Sequence, residues 1–152
     1  MHTASDTISK LLPFATEASW ATERWAALEK YTNLAAGSGG EDFNISIGRA
    51  LLALHKKDTH KFMTSVRSLR EQIACSLTAA TTPSLSACRD DMLKFHILTE
   101  LEMIAGTDGA QVARENVIEA LNRRLEVIGA YLNDKQYLLG IRRAAMQLSR
   151  YV

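Results

Sequence analysis

Apolar residues recur at helical spacing along almost the whole chain, and this feature constrains the fold most strongly. No stretch alternates apolar and polar residues as a half-buried β-strand would. Proline occurs only at positions 13 and 83, so helices can run long. Glycine clusters at 37–40 and at 106–109 are typical of loops. The sequence therefore predicts an all-α fold.

The pattern predicts about six helices. They span approximately Pro13 to Leu34, Phe43 to Lys57, a segment capped by Asp58 and ending near Thr81, a segment from Thr82-Pro83 to Ala105, Gln111 to Leu132, and a segment capped by Asn133 or Asp134. Gly106 is expected to end the fourth helix in a left-handed conformation. Apolar residues cover more than one stripe of that helix, so it should pack on two sides.

Helices of this length joined by short loops fold as antiparallel pairs, in a closed bundle or an open solenoid. Trp20, Trp25 and Ala26 resemble the opening of a degenerate tetratricopeptide unit, although no strict repeat period is visible. We favour irregular pairs stacked as a tetratricopeptide-like α-solenoid segment, with 1–152 as one module. The last helix stays apolar and no polar capping helix follows it, so a fragment of a much larger chain is expected.

The charge balance excludes several classes of protein. There are 18 Lys and Arg against 17 Asp and Glu, for a net charge of +1, which argues against a dedicated nucleic-acid binder. No apolar run approaches the roughly 20 residues needed to span a bilayer, and Met1 to Pro13 does not show the basic region and apolar run of a signal peptide. Cys75 and Cys88 cannot form a disulfide scaffold and are expected to be buried or partly buried free thiols.

No motif predicts catalysis, a cofactor or a metal site. The glycine run at 37–40 lacks the preceding strand and the Gly-Lys-Ser/Thr ending of a phosphate loop, so we interpret it as an inter-helix loop. His55, Asp58 and His60 lie among lysines and predict a solvated turn, not a metal site. His96 and Glu100 are four residues apart and should support their own helix. A small helical-bundle enzyme that uses this pair as acid and base is an alternative hypothesis.

The last 42 residues are basic, with seven Lys and Arg against four acidic residues. Arg123, Arg124, Arg142 and Arg143 form the candidate docking face for an acidic neighbour, and a solvated helix face is the simpler alternative. Trp20 and Trp25 are expected to anchor the core between helices.

Five segments together resemble a known family. They are Ser19–Glu29, Ile47–Asp58, Phe95–Glu102, Arg124–Glu126 and Leu138–Ala144. Their order and spacing are similar to those in the FAT domain of ATR-type checkpoint kinases, which are phosphatidylinositol-kinase-related Ser/Thr protein kinases. Within that family, the sequences of these segments most resemble a fungal member. The resemblance covers about Leu11 to Arg150.

The resemblance implies a helical scaffold that holds the kinase domain, links it to an N-terminal solenoid and transmits changes induced by a regulatory subunit. The parent would act in the nucleus in DNA-damage signalling, with ATP and Mg. This segment has no catalytic loop and no metal-binding Asp-Phe-Gly, so it is not expected to be an enzyme by itself. A free-standing tetratricopeptide-like adaptor that binds peptides in a concave groove is the alternative.

Overall fold

The computed structural model describes residues 2–36, 42–79, 84–106, 111–129 and 131–149. All regular structure within these ranges is α-helical. The helices are α1 (His2–Ala21), α2 (Trp25–Ala35), α3 (Phe43–His55), α4 (Thr59–Ala79), α5 (Leu85–Ala105), α6 (Gln111–Val127) and α7 (Leu132–Leu148). The all-α prediction is confirmed, with seven helices where about six were expected.

The first predicted helix is two helices. Helix α1 begins at His2, runs through Pro13 and ends at Ala21, and α2 begins at Trp25. Glu23 adopts the left-handed conformation, with φ of 58°. No glycine or proline lies at 22–24, so the usual signals for a helix end were absent. The single helix predicted from Pro13 to Leu34 was therefore wrong.

The boundary between the last two helices also differs from the prediction. Helix α6 ends at Val127, and Gly129 has φ of 82°, which suits a residue without Cβ. Leu132, which was expected to end one helix, begins α7. Tyr131 is its N-cap and makes no side-chain capping bond, so capping by Asn133 or Asp134 was wrong.

Helices α4 and α5 begin at side-chain caps. Asp58 Oδ1 accepts from the backbone N–H of Lys61 at 3.0 Å, which confirms it as the N-cap of α4. Ser84 is the N-cap of α5, whereas Thr82-Pro83 lies outside the described residues, as do Thr81 and the glycine run at 37–40. Gly106 ends α5 with φ of −80°, so a left-handed cap was wrong there.

The chain divides into two compact units, residues 1–65 and 66–152. In the first unit, α1, α2 and α3 all contact one another. Arg49 Nη2 donates to the backbone carbonyl of Thr32, and Lys56 contacts Glu29, so α3 runs antiparallel to α2. Largest among the fully buried side chains of this unit are Trp20, Leu28, Ile47, Leu51 and Phe62. The prediction of one module over 1–152 stays a prediction.

The two tryptophans have different environments. Trp20 is buried, which confirms its predicted role as a core anchor. Trp25 is half-buried and stacks on His55, with ring centroids 5.0 Å apart.

Helix α5 is central in the second unit, where it contacts both α6 and α7. The prediction that it packs on two sides is confirmed. Arg89 and Glu100 of α5 lie near Asp134 and Arg142, respectively, so α5 and α7 run in the same direction. The largest fully buried side chains here are Ile97, Leu98, Leu101, Ile104, Leu121, Leu138 and Ile141.

Candidate functional site

Polar side chains of α5 contact arginines from three other helices. These arginines are Arg70 of α4, Arg124 of α6 and Arg142 of α7, and together we call them the arginine cluster. Their partners lie at positions 96, 99, 100 and 102 of α5, so one helix collects polar contacts from every other helix of its unit. Such a network fixes the mutual register of helices more specifically than apolar packing alone.

The ion pair between Arg142 and Glu100 is the buried member of the network. Arg142 Nε donates to Oε2 at 3.0 Å, and Nη2 donates to Oε1 at 2.8 Å. Nη2 also donates to the backbone carbonyl of Leu121 at 3.1 Å, which brings α6 into the contact. Glu100 is 1% exposed and Arg142 is 6% exposed. Burial is tolerated because both charges are paired and hydrogen-bonded.

The placement of Arg142 corrects one residue of the predicted docking face. A guanidinium buried against Glu100 cannot also bind an acidic neighbour at the surface. Arg123 and Arg143 are exposed, and Arg123 contacts Glu119 one turn earlier on α6. Arg124 is half-buried. A docking role for Arg123, Arg124 and Arg143 stays a prediction.

The contact between Arg124 and His96 joins α6 to α5. Arg124 Nη2 lies 2.8 Å from His96 Nδ1. Because a guanidinium can only donate, Nδ1 must accept and the imidazole must be neutral in this contact. Burial, and then the charge of Arg124, lower the pKa of His96 below its ordinary value of 6.5, while Glu100 opposes the shift.

The predicted support between His96 and Glu100 is limited to charge, through which Glu100 opposes the lowering of the His96 pKa. Each is hydrogen-bonded to an arginine of a different helix. Both carboxylate oxygens of Glu100 are engaged in the interior, whereas His96 lines a groove that Glu100 does not reach. The enzyme hypothesis required the two side chains to face one cavity, so this geometry removes its support.

Arg70 links α4 to the far end of α5. Its Nη1 donates to Glu102 Oε1 at 2.7 Å, and its Nη2 donates to Thr99 Oγ1 at 3.3 Å. About a third of each charged side chain is exposed, so solvent screens this pair and its contribution to stability is small.

A groove of about 360 Å³ opens beside the first turns of α5. We call it the α5 groove, and its lining includes Leu85, Cys88, Met92, His96, Val127 and Ile128. Leu85 is 89% exposed and Val127 is 74% exposed, so the groove lies in an open apolar surface. At its rim, Arg89 lies 4.3 Å above the ring of Tyr131.

Other candidate residues have ordinary surroundings. Cys75 and Cys88 are free thiols, as predicted; Cys88 is partly buried, whereas Cys75 is exposed, so its predicted burial was wrong. Asp58 and His60 are exposed at the α3–α4 turn, which confirms the solvated turn, although Asp58 also caps α4. Across the described residues there is no group of three or more His, Cys, Asp or Glu side chains placed to hold a metal ion. None of the described helices is both long enough and apolar enough to cross a membrane.

Sequence reasoning missed Arg70, Arg89 and Glu102 as contact residues. Helical periodicity identifies faces that are apolar, and these residues lie among polar positions where it carries no signal. One indication was present in the sequence: apolar residues cover more than one stripe of α5, which predicted packing on two sides but not these polar contacts.

A family comparison agrees with this all-helical architecture. The family model of the FAT domain matches residues 12–151, which include every residue of the arginine cluster and of the α5 groove. FAT domains are non-catalytic helical scaffold segments of phosphatidylinositol-kinase-related Ser/Thr protein kinases. Because the match covers more than half of the chain, we conclude that this chain belongs to the FAT domain family.

Proposed function

We propose that the chain is a scaffold segment of an ATR-type DNA-damage checkpoint kinase. Its packed helices would hold the kinase domain and transmit changes induced by a regulatory subunit. The FAT match over residues 12–151 carries this proposal, because a domain of that family has no catalytic task of its own. The ATP- and Mg-dependent transfer of phosphate would belong to the kinase domain of the parent.

The ATR-type assignment rests on the order of five short segments. Two of these segments contain residues that make polar contacts between helices. Phe95–Glu102 supplies four partners of the arginine cluster, and Leu138–Ala144 supplies Arg142. These segments therefore include the cross-links between helices, which is the part of a scaffold that must keep its geometry. A fungal source, a nuclear location and the absence of direct nucleic-acid or membrane binding belong to the same proposal.

Mechanical transmission requires helices that move together. In the second unit, Arg142 contacts both Glu100 of α5 and the Leu121 carbonyl of α6. A displacement of α7 would therefore have to move α5 and α6 or break buried charge-assisted hydrogen bonds. This contact favours a scaffold that transmits force, and it argues against a set of helices that move independently.

The first test is an immunoblot with an antibody raised against this segment. Nuclear and cytoplasmic fractions are compared before and after replication stress. We expect one nuclear band far above 16.8 kDa, and the immunoprecipitate should phosphorylate a protein substrate on Ser or Thr more strongly after stress. A band near 16.8 kDa would contradict the scaffold proposal and favour the adaptor. A large protein without stress-stimulated kinase activity would contradict the checkpoint assignment.

The docking prediction is tested in the full-length protein with Arg123→Glu and Arg143→Glu together. Both side chains are exposed, so the change should leave folding intact. We expect weaker association with the remainder of the kinase or with its regulatory subunit. Arg67→Glu with Lys10→Glu is the matched control, because both residues are also exposed. Unchanged assembly and unchanged stimulated activity would eliminate this surface as a docking face.

A further inference from the structure

A cleft in the first unit lies between α2, α3 and the first turns of α4. Its volume is about 190 Å³, and its lining includes Arg49, Leu52, Ala53, Lys56, Lys61 and Ser65. We call it the basic cleft. We propose that the basic cleft binds an acidic peptide segment by taking up a Glu or Asp side chain. This proposal does not depend on the ATR-type assignment.

Cationic charge is concentrated at the basic cleft. Arg49, Lys56 and Lys61 line it, and Lys57 is exposed in the adjoining turn. Two carboxylates, those of Glu29 and Asp58, also line the cleft. Among the residues that line the cleft, three cations against two carboxylates leave a net positive charge, and Lys57 lies beside them. Clustered charge of one sign raises the local concentration of ligands with the opposite charge.

The two carboxylates already have structural partners. Glu29 contacts Lys56, and the hydrogen bond and charge of Lys56 lower the pKa of Glu29. Asp58 accepts from the backbone N–H of Lys61 as the N-cap of α4. Both anions are therefore held by the protein's own groups. The ammonium group of Lys61 is exposed and lines the cleft; its charge also acts on Glu29, and it contributes positive charge that an incoming carboxylate can meet.

The shape and lining of the cleft suit an acidic side chain. Leu52 and Ala53 are buried at its base and can contact the methylene groups of a glutamate. Arg49 is fixed there by its 3.0 Å bond to the Thr32 carbonyl, so the guanidinium needs little further ordering. A volume of about 190 Å³ accommodates one or two side chains.

A peptide is favoured over a nucleic acid as the ligand. Binding of single strands uses exposed aromatic faces on which bases stack. The nearby rings of Trp25 and His55 are stacked on each other, with an interplanar angle of 17°, and so are already partnered. No aromatic side chain is among the residues that line the cleft.

The test measures binding of a fluorescein-labelled peptide that contains six consecutive glutamates. Fluorescence anisotropy is recorded with the full 152-residue chain at low and at physiological salt. A labelled thymidine oligonucleotide with six phosphates is the comparison ligand. We expect saturable binding of the peptide that weakens as salt rises, because the contacts are partly exposed. The oligonucleotide should bind more weakly at the same salt.

Lys61→Glu is the decisive variant. Asp58 with a glutamate three residues later forms a capping box, so this change should preserve the start of α4. We expect peptide affinity to fall about tenfold or more, since an attraction becomes a repulsion. Lys10→Glu makes the same change of charge at an exposed site on α1 and should alter affinity less than about twofold.

Lys57→Glu provides a second reversal of charge beside the cleft, and circular dichroism checks the fold of each variant. An equal loss of affinity in Lys10→Glu would overturn the proposal, because attraction would then be nonspecific. Absence of saturable peptide binding, or tighter binding of the oligonucleotide, would overturn it too. If Lys61→Glu lowers the melting temperature, the peptide affinity of Lys57→Glu is used to test the proposal instead.

Discussion

Arg142 of α7 binds both carboxylate oxygens of Glu100 in the interior of the second unit, at 3.0 and 2.8 Å. The two residues are 42 positions apart in the chain. Removing either charge from water is costly, and the attraction between them repays that cost only while the geometry holds. The pair therefore specifies the register of α5 and α7, and it makes the unit sensitive to loss of either partner.

Arg142→Met should lower the free energy of unfolding by about 3–5 kcal/mol, because it leaves the Glu100 carboxylate buried and unpaired. Urea denaturation followed by circular dichroism at 222 nm measures the change. Arg143→Met is the matched control on the same helix, and its exposed side chain predicts a change below about 0.5 kcal/mol.

The double variant Glu100→Leu/Arg142→Met separates the cost of an orphaned charge from the value of the pair. Replacement of both partners by apolar side chains should restore most of the stability that Arg142→Met alone removes. A double variant as unstable as the single one would show that the pair itself, with its bond to the Leu121 carbonyl, stabilises the unit.

Acidification should destabilise the second unit through His96. Its pKa in the folded chain lies below 6.5, so below about pH 6.5 the unfolded chain binds more protons than the folded one. The contribution of His96 to stability is therefore complete above that value and is lost as the pH falls through the folded pKa. Urea midpoints of the parent and of His96→Gln, measured between about pH 8 and pH 5, isolate this effect. Identical slopes against pH would contradict it.

Two glycines within helices should respond oppositely to alanine. A Cβ at Gly48 would lie 2.7 Å from Thr16 Cγ2 and 3.1 Å from Leu28 Cδ1, so Gly48→Ala should destabilise by about 1–3 kcal/mol. A Cβ at Gly140 meets nothing within 4 Å, so Gly140→Ala should stabilise α7 by roughly 0.5–1 kcal/mol. Thermal melting of both variants against the parent checks the signs.

Leu101→Asp should unfold the second unit, because it places an unpaired charge at a side chain only 1% exposed. Leu85→Asp is the control, since Leu85 is exposed in the first turn of α5, where an acidic residue is favourable. Circular dichroism melts should show a large loss for the first variant and little change for the second. An unchanged melt for Leu101→Asp would mean that the core lies elsewhere.

Periodicity predicted the helical fold because helix faces are encoded locally, and apolar residues at helical spacing such as Leu98, Leu101 and Leu121 are buried. Capping by Asp58 was predictable for the same reason: the side chain binds a backbone group three residues away. Start and stop signals of this kind act within one turn of the helix.

The break at Glu23 and the contacts of α5 were not predictable in this way. Glu23 adopts a left-handed conformation without the glycine that usually marks it. The contact between Glu100 and Arg142 forms only when three helices have packed together, and no local sequence pattern encodes it. In the sequence, Arg142 therefore could not be distinguished from a surface arginine such as its neighbour Arg143.

Helix α1 has two parts that differ in local stability, and Pro13 lies at their boundary. Proline has no N–H to donate to the Ser9 carbonyl, and residues 4–11 are all exposed. Beyond it, Thr16, Ser19 and Trp20 are buried. The first turns of α1 can therefore fray while the later turns remain docked, and the backbone amides of residues 4–11 should exchange with deuterium far sooner than those after Pro13.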